Sequence, residues 1–389
     1  MWPLYAAGFT TAFGAHAVAA NLGAFSEDAV DSLLTLGLLL AVYDGAEVLL
    51  KPVFGTIADR IGARPVLIAG LLGFALVSAT YVVADSPGWL WAARLGQGAA
   101  ASAFSPSASA LVARLNPASK HGRAFGRYGF YKSIGYTLGP LVGGALVWLG
   151  GFRLLFAVMT VLGLAVAGWA LLVVPAVPPL PRARQTVLDL VSRVAEPAFL
   201  RPTAALAGAT AALSVGVGFL PVSGAAAGLG TVATGAAVSV LAATAALVQP
   251  RAGRALDEGR LSARTGITTG LLFAAAGLAW ATLPGLAGLL PAVVLIGLGT
   301  GLITPLAFSA LAASTPQARL GQTMGAAEVG RELGDAGGPL LVAAVATATA
   351  LAYGYAALAA VLAVGPLAGV LIAVARRRGG VGGGAGGGL

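Results

Sequence analysis

Apolar stretches of about 20–25 residues, each the length of a helix that crosses a bilayer, recur along all 389 residues of the chain. Cutting at polar clusters, prolines and glycines predicts spans at 3–24, 33–58, 64–84, 88–114, 122–148, 152–175, 199–221, 228–251, 263–283, 286–313, 319–346 and 352–375. Within lipid every backbone N–H and C=O must bond internally, which leaves helices or a closed barrel. Runs this long exceed a barrel strand of about 10 residues, so helices remain. The first span lacks a basic leader and is too long for a signal core, so it is expected to stay in the protein. The 57 glycines suit helices that approach backbone to backbone, since small residues let helices pack closely in lipid.

The sparse charge, 10% of residues, is placed by side. Connections after the second, fourth, sixth, eighth and tenth spans carry Arg60 and Arg64; Lys120 and Arg123; Arg182, Arg184 and Arg193; Arg254, Arg260 and Arg264; and Arg319. Opposite connections carry Glu27, Asp28, Asp31 and Asp85, with Arg153 as the basic exception. Basic loops stay on the cytoplasmic side, so a multi-pass protein of the cell membrane with both termini cytoplasmic is expected. The net charge of +9 thus reads as topology, and no nucleic-acid partner is expected. With no cysteine, disulfides and thiol chemistry are excluded.

One long connection, 177–198, divides a six-helix bundle at 1–176 from a second at 199–376, and the glycine-rich tail 377–389 has a disordered composition. The halves look related. Laying "GRYGFYKSIGYTLGPLVGG" over "GAAEVGRELGDAGGPLLVA" matches Gly126 with Gly325, Gly135 with Gly334, Gly139 with Gly338, Pro140 with Pro339 and Lys132 with Arg331. The expected fold is an all-α membrane protein of twelve helices in two pseudosymmetric bundles, with the substrate site between them.

Several strings then resemble the major facilitator superfamily, over the whole chain. "GTIADRIGARP" is similar to its loop signature through Gly55, Asp59, Arg60, Gly62 and Arg64, with Ala63 where a basic residue is usual. "GRALDEGR" is a degenerate second copy, keeping Gly253 and Asp257. "RLGQGAA" resembles the family's motif in the fourth helix through Arg94, Gln97 and Gly98. "GYTLGPLVGG" resembles that of antiporter branches through Gly135, Gly139, Pro140, Gly143 and Gly144. The resemblance implies a conformational latch at Asp59 and its loop, with Asp257 in the second copy. It implies a cavity lined by the first, fourth, seventh and tenth helices, and contacts of the second helix with the eleventh and the fifth with the eighth. The plain alternative for the loop is a basic turn; the glycines of the fifth helix read as packing.

Ionisable side chains inside the spans cost about 2.5–3.5 kcal/mol each on insertion scales, so each is a functional candidate. They are His16, Asp44, Glu47, Lys51, Arg94, Lys132, Glu328, Arg331, Glu332 and Asp335. Asp44, Glu47 and Lys51 share a helix face, as does the stripe of the eleventh span. Comparing depths predicts Lys51–Glu328 and Asp44 or Glu47–Arg331 pairs. Lys51, Glu328, Glu332 and Asp335 are assigned to interface ion pairs, which can be purely architectural. Asp44 and Glu47, one turn apart in low dielectric, cannot both ionise cheaply, so proton coupling is assigned to them with Arg94, Arg331 and His16.

Phe13, Asn21, Gln97, Ser102, Ser105, Lys132, Phe219, Thr300, Thr304 and Phe308 are the candidate cavity wall. Its mix of rings and hydroxyls suits an amphipathic organic molecule. The function expected is proton-coupled export by a monomer, without cofactor or metal and driven by the proton gradient. Its partners would be the bilayer, a small-molecule substrate and protons. Anion or oxyanion transport through Arg94, Lys132 and Arg331 is the alternative, and lipid flipping a further one. With no HExxH, no GxSxG elbow and two histidines, nothing points to an enzyme.

Overall fold

A computed structural model describes residues 1–21, 33–83, 87–178 and 195–380. The predicted linker falls mostly outside these residues, as do the acidic loop at 24–32, Asp85 and the tail from 381. The helices are α1 (Trp2–Ala19), α2 (Leu33–Ile61), α3 (Ala63–Val83) and α4 (Pro87–Arg114). His121–Val173 is helical throughout except at Gly150 and Gly151, and the latter sits at φ 65°. That break separates α5 (121–149) from α6 (152–173). The second half holds α7 (Pro197–Ala226), α8 (Thr231–Asp257), α9 (Ala263–Trp280), α10 (Gly285–Ser314), α11 (Leu320–Ala348) and α12 (Leu351–Gly380). The last helix continues past residue 376, where the sequence places the tail.

Local sequence sets these limits. Proline enters the first turn of α1 and α7, where its missing N–H costs nothing. Gly62, at φ 105°, turns the chain from α2 into α3, and a side chain there would be strained. Among the described residues, five helical stretches, beginning with Ala63–Val83, are long and apolar enough to cross a membrane. Large apolar side chains point outward on the bundle surface; Trp148 and Leu172 are 84% and 85% exposed. In water such a surface would be prohibitive; in lipid it is the solvent-facing side.

Within the halves α1 packs on α5 and α7 on α11 through matching glycines. Gly135, Gly139 and Gly143 lie against Phe9, Phe13 and Ala17 of α1, while Gly334 and Gly338 lie against Ala207 and Ala211 of α7. The motif of the fifth helix is therefore a packing groove inside one half, as its spacing suggests. Between halves α2 meets α11 and α5 meets α8, again backbone to backbone. Gly55 touches Gly321 and Gly325 touches the Lys51 carbonyl, as Gly122 touches Gly253 and Gly126 the Gln249 carbonyl.

These contacts lie at the end of the bundle that carries the basic loops. One hydrophobic core there runs across both halves, joining Leu111 and Phe125 to Leu206, Phe308, Leu311 and Met324. At the opposite end the second half keeps a separate core around Val215, Leu241, Ile296 and Tyr355. The halves are fused at the basic end and part at the far end.

Candidate functional site

The polar stripes of α2 and α11 face each other across the seam. Lys51 is 1% exposed and sits between halves, 2.6 Å from Glu332, 3.9 Å from Glu328 and 3.0 Å from Glu47 on its own helix. Glu328, fully buried, is also 3.1 Å from Lys132 of α5 and 3.2 Å from Arg331. Arg331 donates to the Tyr136 hydroxyl of α5 at 3.2 Å. Three cations and three carboxylates thus form one lattice that crosses the seam twice, by Lys51 and by Lys132. Interior charges are tolerable when paired and hydrogen-bonded this densely.

Exposure along both stripes falls in the same direction. On α2, Asp44 is exposed, Glu47 is 4% and Lys51 1%. On α11, Asp335 is half-buried, Arg331 is 6% and Glu328 0%. The stripes therefore form the floor of a vestibule open to the far end. Below it, a small cavity of about 40 Å³ is lined by Lys132, Tyr136, Gln249, Thr300, Thr304, Phe308 and Arg331. Phe125 of α5 stacks on Phe308 of α10 at 5.6 Å, an aromatic plug on the basic side of that cavity.

Both ends of the seam at the basic side are latched alike. Asp59 accepts hydrogen bonds from the Gly321 and Gln322 amides at 2.8 Å each. Asp257 accepts from those of Gly122 and Arg123, also at 2.8 Å. The residues that precede α11 and α5 are Arg319 and Lys120, whose side chains cap nothing. Each half therefore supplies the carboxylate that the opposite helix needs for its free amides and positive end.

Several expectations change. The Lys51–Glu328 contact is present, though the nearest partner of Lys51 across the seam is Glu332. Arg331 pairs with Glu328 and Tyr136, not with Asp44 or Glu47, because Lys51 already holds Glu47 away on its own helix. Asp335 has no ion pair among the described residues and is half-buried. Arg60 is exposed; the arginine on Asp59 is Arg114, at 3.2 Å. Arg64 instead donates to the Leu171 carbonyl and braces α3 on α6.

Part of the expected cavity wall is core. Gln97 donates to Ser78 at 2.9 Å and to the Met159 sulfur, inside the first half. Ser102 binds the Gly98 carbonyl and reaches that of Ala46, and Ser105 is fully buried. Phe13 stacks on Phe9, Phe219 packs on the core of the second half, and Asn21 binds the Ala17 carbonyl. Lys132, Thr300, Thr304 and Phe308 do line the cavity. His16 binds the Ala12 carbonyl, with its ring edge-on to Tyr136 at 4.4 Å. Arg94 lies 4.3 Å over the Tyr43 ring, a cation–π contact that leaves its Nε and Nη1 unbonded.

Tyr136, Arg114, Tyr43 and Gln249 escape sequence reading. For Gln249 a signal existed. "QPRAGRALDEG" repeats "KPVFGTIADRIG", so Gln249 occupies the place of Lys51, one residue before a proline.

Two pseudosymmetric membrane bundles that share a charged seam, packed together at one end and parted at the other, have the architecture of a membrane carrier. The chain belongs to the Major Facilitator Superfamily, whose family model matches residues 4–339. It is 35% identical over 144 residues to the multidrug resistance protein MdtH of Cronobacter sakazakii, covering 36% of each chain. It is 41% identical over 93 residues to the puromycin resistance protein pur8 of Streptomyces alboniger, covering 24% of this chain and 18% of that one. The chain thus spans well under two thirds of these curated relatives. The fold matches that of the proton:xylose symporter XylE, bound to 6-bromo-6-deoxy-D-glucose, with a TM-score of 0.78 at 14% identity, over 94% of this chain and 93% of that one.

Proposed function

We propose that this transporter exports small amphipathic organic molecules in exchange for protons, as a monomer, by alternating access. The observation that carries the reading is the buried lattice of acids and bases at the seam, open toward the far end and sealed from the basic end. Basic loops mark the cytoplasmic side, which puts both termini in the cytoplasm and makes this the outward-facing form. Acids at the vestibule floor can take protons from outside, and the hydroxyls and rings of the cavity suit an apolar body with a few polar points. The relatives named for multidrug and puromycin resistance support export of such compounds. The chain's own acids suffice for the coupling, with the proton gradient as energy source.

The test is puromycin flux in liposomes holding the purified protein, with an imposed pH gradient. Counterflow of protons, lost when nigericin collapses the gradient, is expected. Flux indifferent to the gradient in both directions would refute the coupling.

One observation favours a second reading, transport of organic anions: the two unbonded donors of the buried Arg94 guanidinium. Against it, Lys132 and Arg331 are already paired with Glu328. Competition by benzoate, abolished in Arg94→Gln, would favour this alternative.

A further inference from the structure

The lattice leaves two carboxyls unused, and they belong to opposite halves. Asp44 of α2 and Asp335 of α11 are the acids of the two stripes that lie nearest the far end, and neither has an ion pair among the described residues. Antiparallel contact of Gly55 with Gly321 and of Lys51 with Gly325 fixes the register. Extending it toward the far end brings Asp44 opposite Glu332 and one turn from Asp335.

Every packed element around the pair has its charges committed or short of what is needed. From α11 come Glu332, held by Lys51, and Arg331, held by Glu328 and Tyr136. From α2 come Lys51 itself, Glu47 and the Tyr43 hydroxyl. From α4 comes Arg94, which lies over the Tyr43 ring. From α5 come Lys132 and Tyr136, and from α1 His16. Five carboxyls, Asp44, Glu47, Glu328, Glu332 and Asp335, face four fixed cations, Lys51, Arg94, Lys132 and Arg331. The fully ionised seam carries one negative charge in excess.

Motion makes that excess matter. The halves are closest at the basic end, so rocking that opens this end must bring the far-end parts of α2 and α11 together. Asp44 and Asp335 then approach and lose the water that now bathes Asp44. Two carboxylates driven together out of water cannot both stay ionised. We infer that Asp44 and Asp335 form a proton-sharing pair across the halves, and that the far end closes only when one proton sits on the pair. This rests on the proton-coupled reading above and names its site: proton entry from the far side would be the condition for exposing the cavity to the basic side.

The absence of native cysteine allows clean spin labelling of the intact protein. One label pair at Ile61 and Gln317 would report the basic end, and another at Leu149 and Ala233 the far end. In liposomes at falling pH, wild type is expected to lengthen the first distance and shorten the second. Asp335→Asn and Asp44→Asn, which keep shape and hydrogen-bonding capacity, are each expected to close the far end without acidification and to lose the pH response. Asp335→Glu is expected to keep that response. If the distances of both Asn variants follow pH as in wild type, the pair is refuted, while puromycin flux coupled to the gradient would still stand. If wild-type distances ignore pH and flux ignores the gradient, the coupled reading falls, and the pair with it.

Discussion

Asp59 and Asp257 occupy the same place in the two halves, and each closes the first turn of a helix in the opposite half with two 2.8 Å bonds. In a soluble helix such caps are local; here they join separate rigid bodies. The carboxylate sees two free amides and the positive end of a helix whose own preceding residue is basic. Replacing a helix-capping carboxylate by alanine costs roughly 1 kcal/mol, so Asp59→Ala and Asp257→Ala should each move the conformational equilibrium about fivefold toward the form open at the basic end. The double variant should move it by about the product, since the sites share no partner. Spin-label distances between Ile61 and Gln317 provide the check; no change in the double variant would dismiss the latch.

Lys51 is the centre of the seam, holding Glu47, Glu328 and Glu332. Removing one partner of a buried pair typically costs about 3–5 kcal/mol because the other charge is stranded. Lys51→Met should therefore lower thermal stability in detergent well below that of Glu332→Gln, and Lys51→Met with Glu332→Gln should recover part of the loss. Equal stability of Lys51→Met and wild type would show that the acids take up protons without penalty.

The backbone contacts of Gly321 with Gly55 and of Gly253 with Gly122 leave no room for a methyl group, because a backbone atom of the opposite half already fills the space. Neither helix can bend away alone. Gly321→Ala or Gly253→Ala should wedge the basic end apart while leaving each half intact. Increased labelling of a cysteine placed at Gln317 would report it. A variant that stays sealed would mean that the halves can slide in register.

Gln97 separates packing from transport. It is fully buried among Ser78 and Met159, away from the seam, so Gln97→Ala should lose about 1 kcal/mol of stability, as for a typical buried hydrogen bond. Puromycin flux per folded molecule should stay the same. A loss of flux at unchanged stability would return Gln97 to the transport pathway.

The aromatic plug makes a related prediction. Phe125 and Phe308 come from different halves and stack at 5.6 Å, so their contact exists only while the basic end is closed. Such pairs contribute about 0.5–1.5 kcal/mol beyond area burial. Phe308→Ala should raise the population open at the basic end several-fold, measured by the same labels. An unchanged population would assign the seal to the glycine contacts alone.

Much of this was legible in the chain. The lengths of the apolar runs dictated transmembrane helices because lipid offers no other partner to the backbone. The internal repeat exposed the glycines of α5 and α11 that lie against α1 and α7. The charges of α2 and α11 stood out because each is costly in lipid, and comparing depths found Lys51 with Glu328. Facing was the weak point. A helix that is apolar on every side gives no polar face to tell core from cavity, so Gln97, Ser102 and Ser105, expected on the cavity wall, lie in the core.

The sequence by itself thus determined the helices, the two-fold plan and which residues carry charge, since all three follow from length and composition against a fixed solvent. Tertiary structure alone decided partners. Lys51 could reach several carboxyls and takes Glu47 and Glu332, which leaves Arg331 to Glu328 and Tyr136. That choice depends on helix rotation and on glycine contacts of a few ångströms, which no linear spacing records.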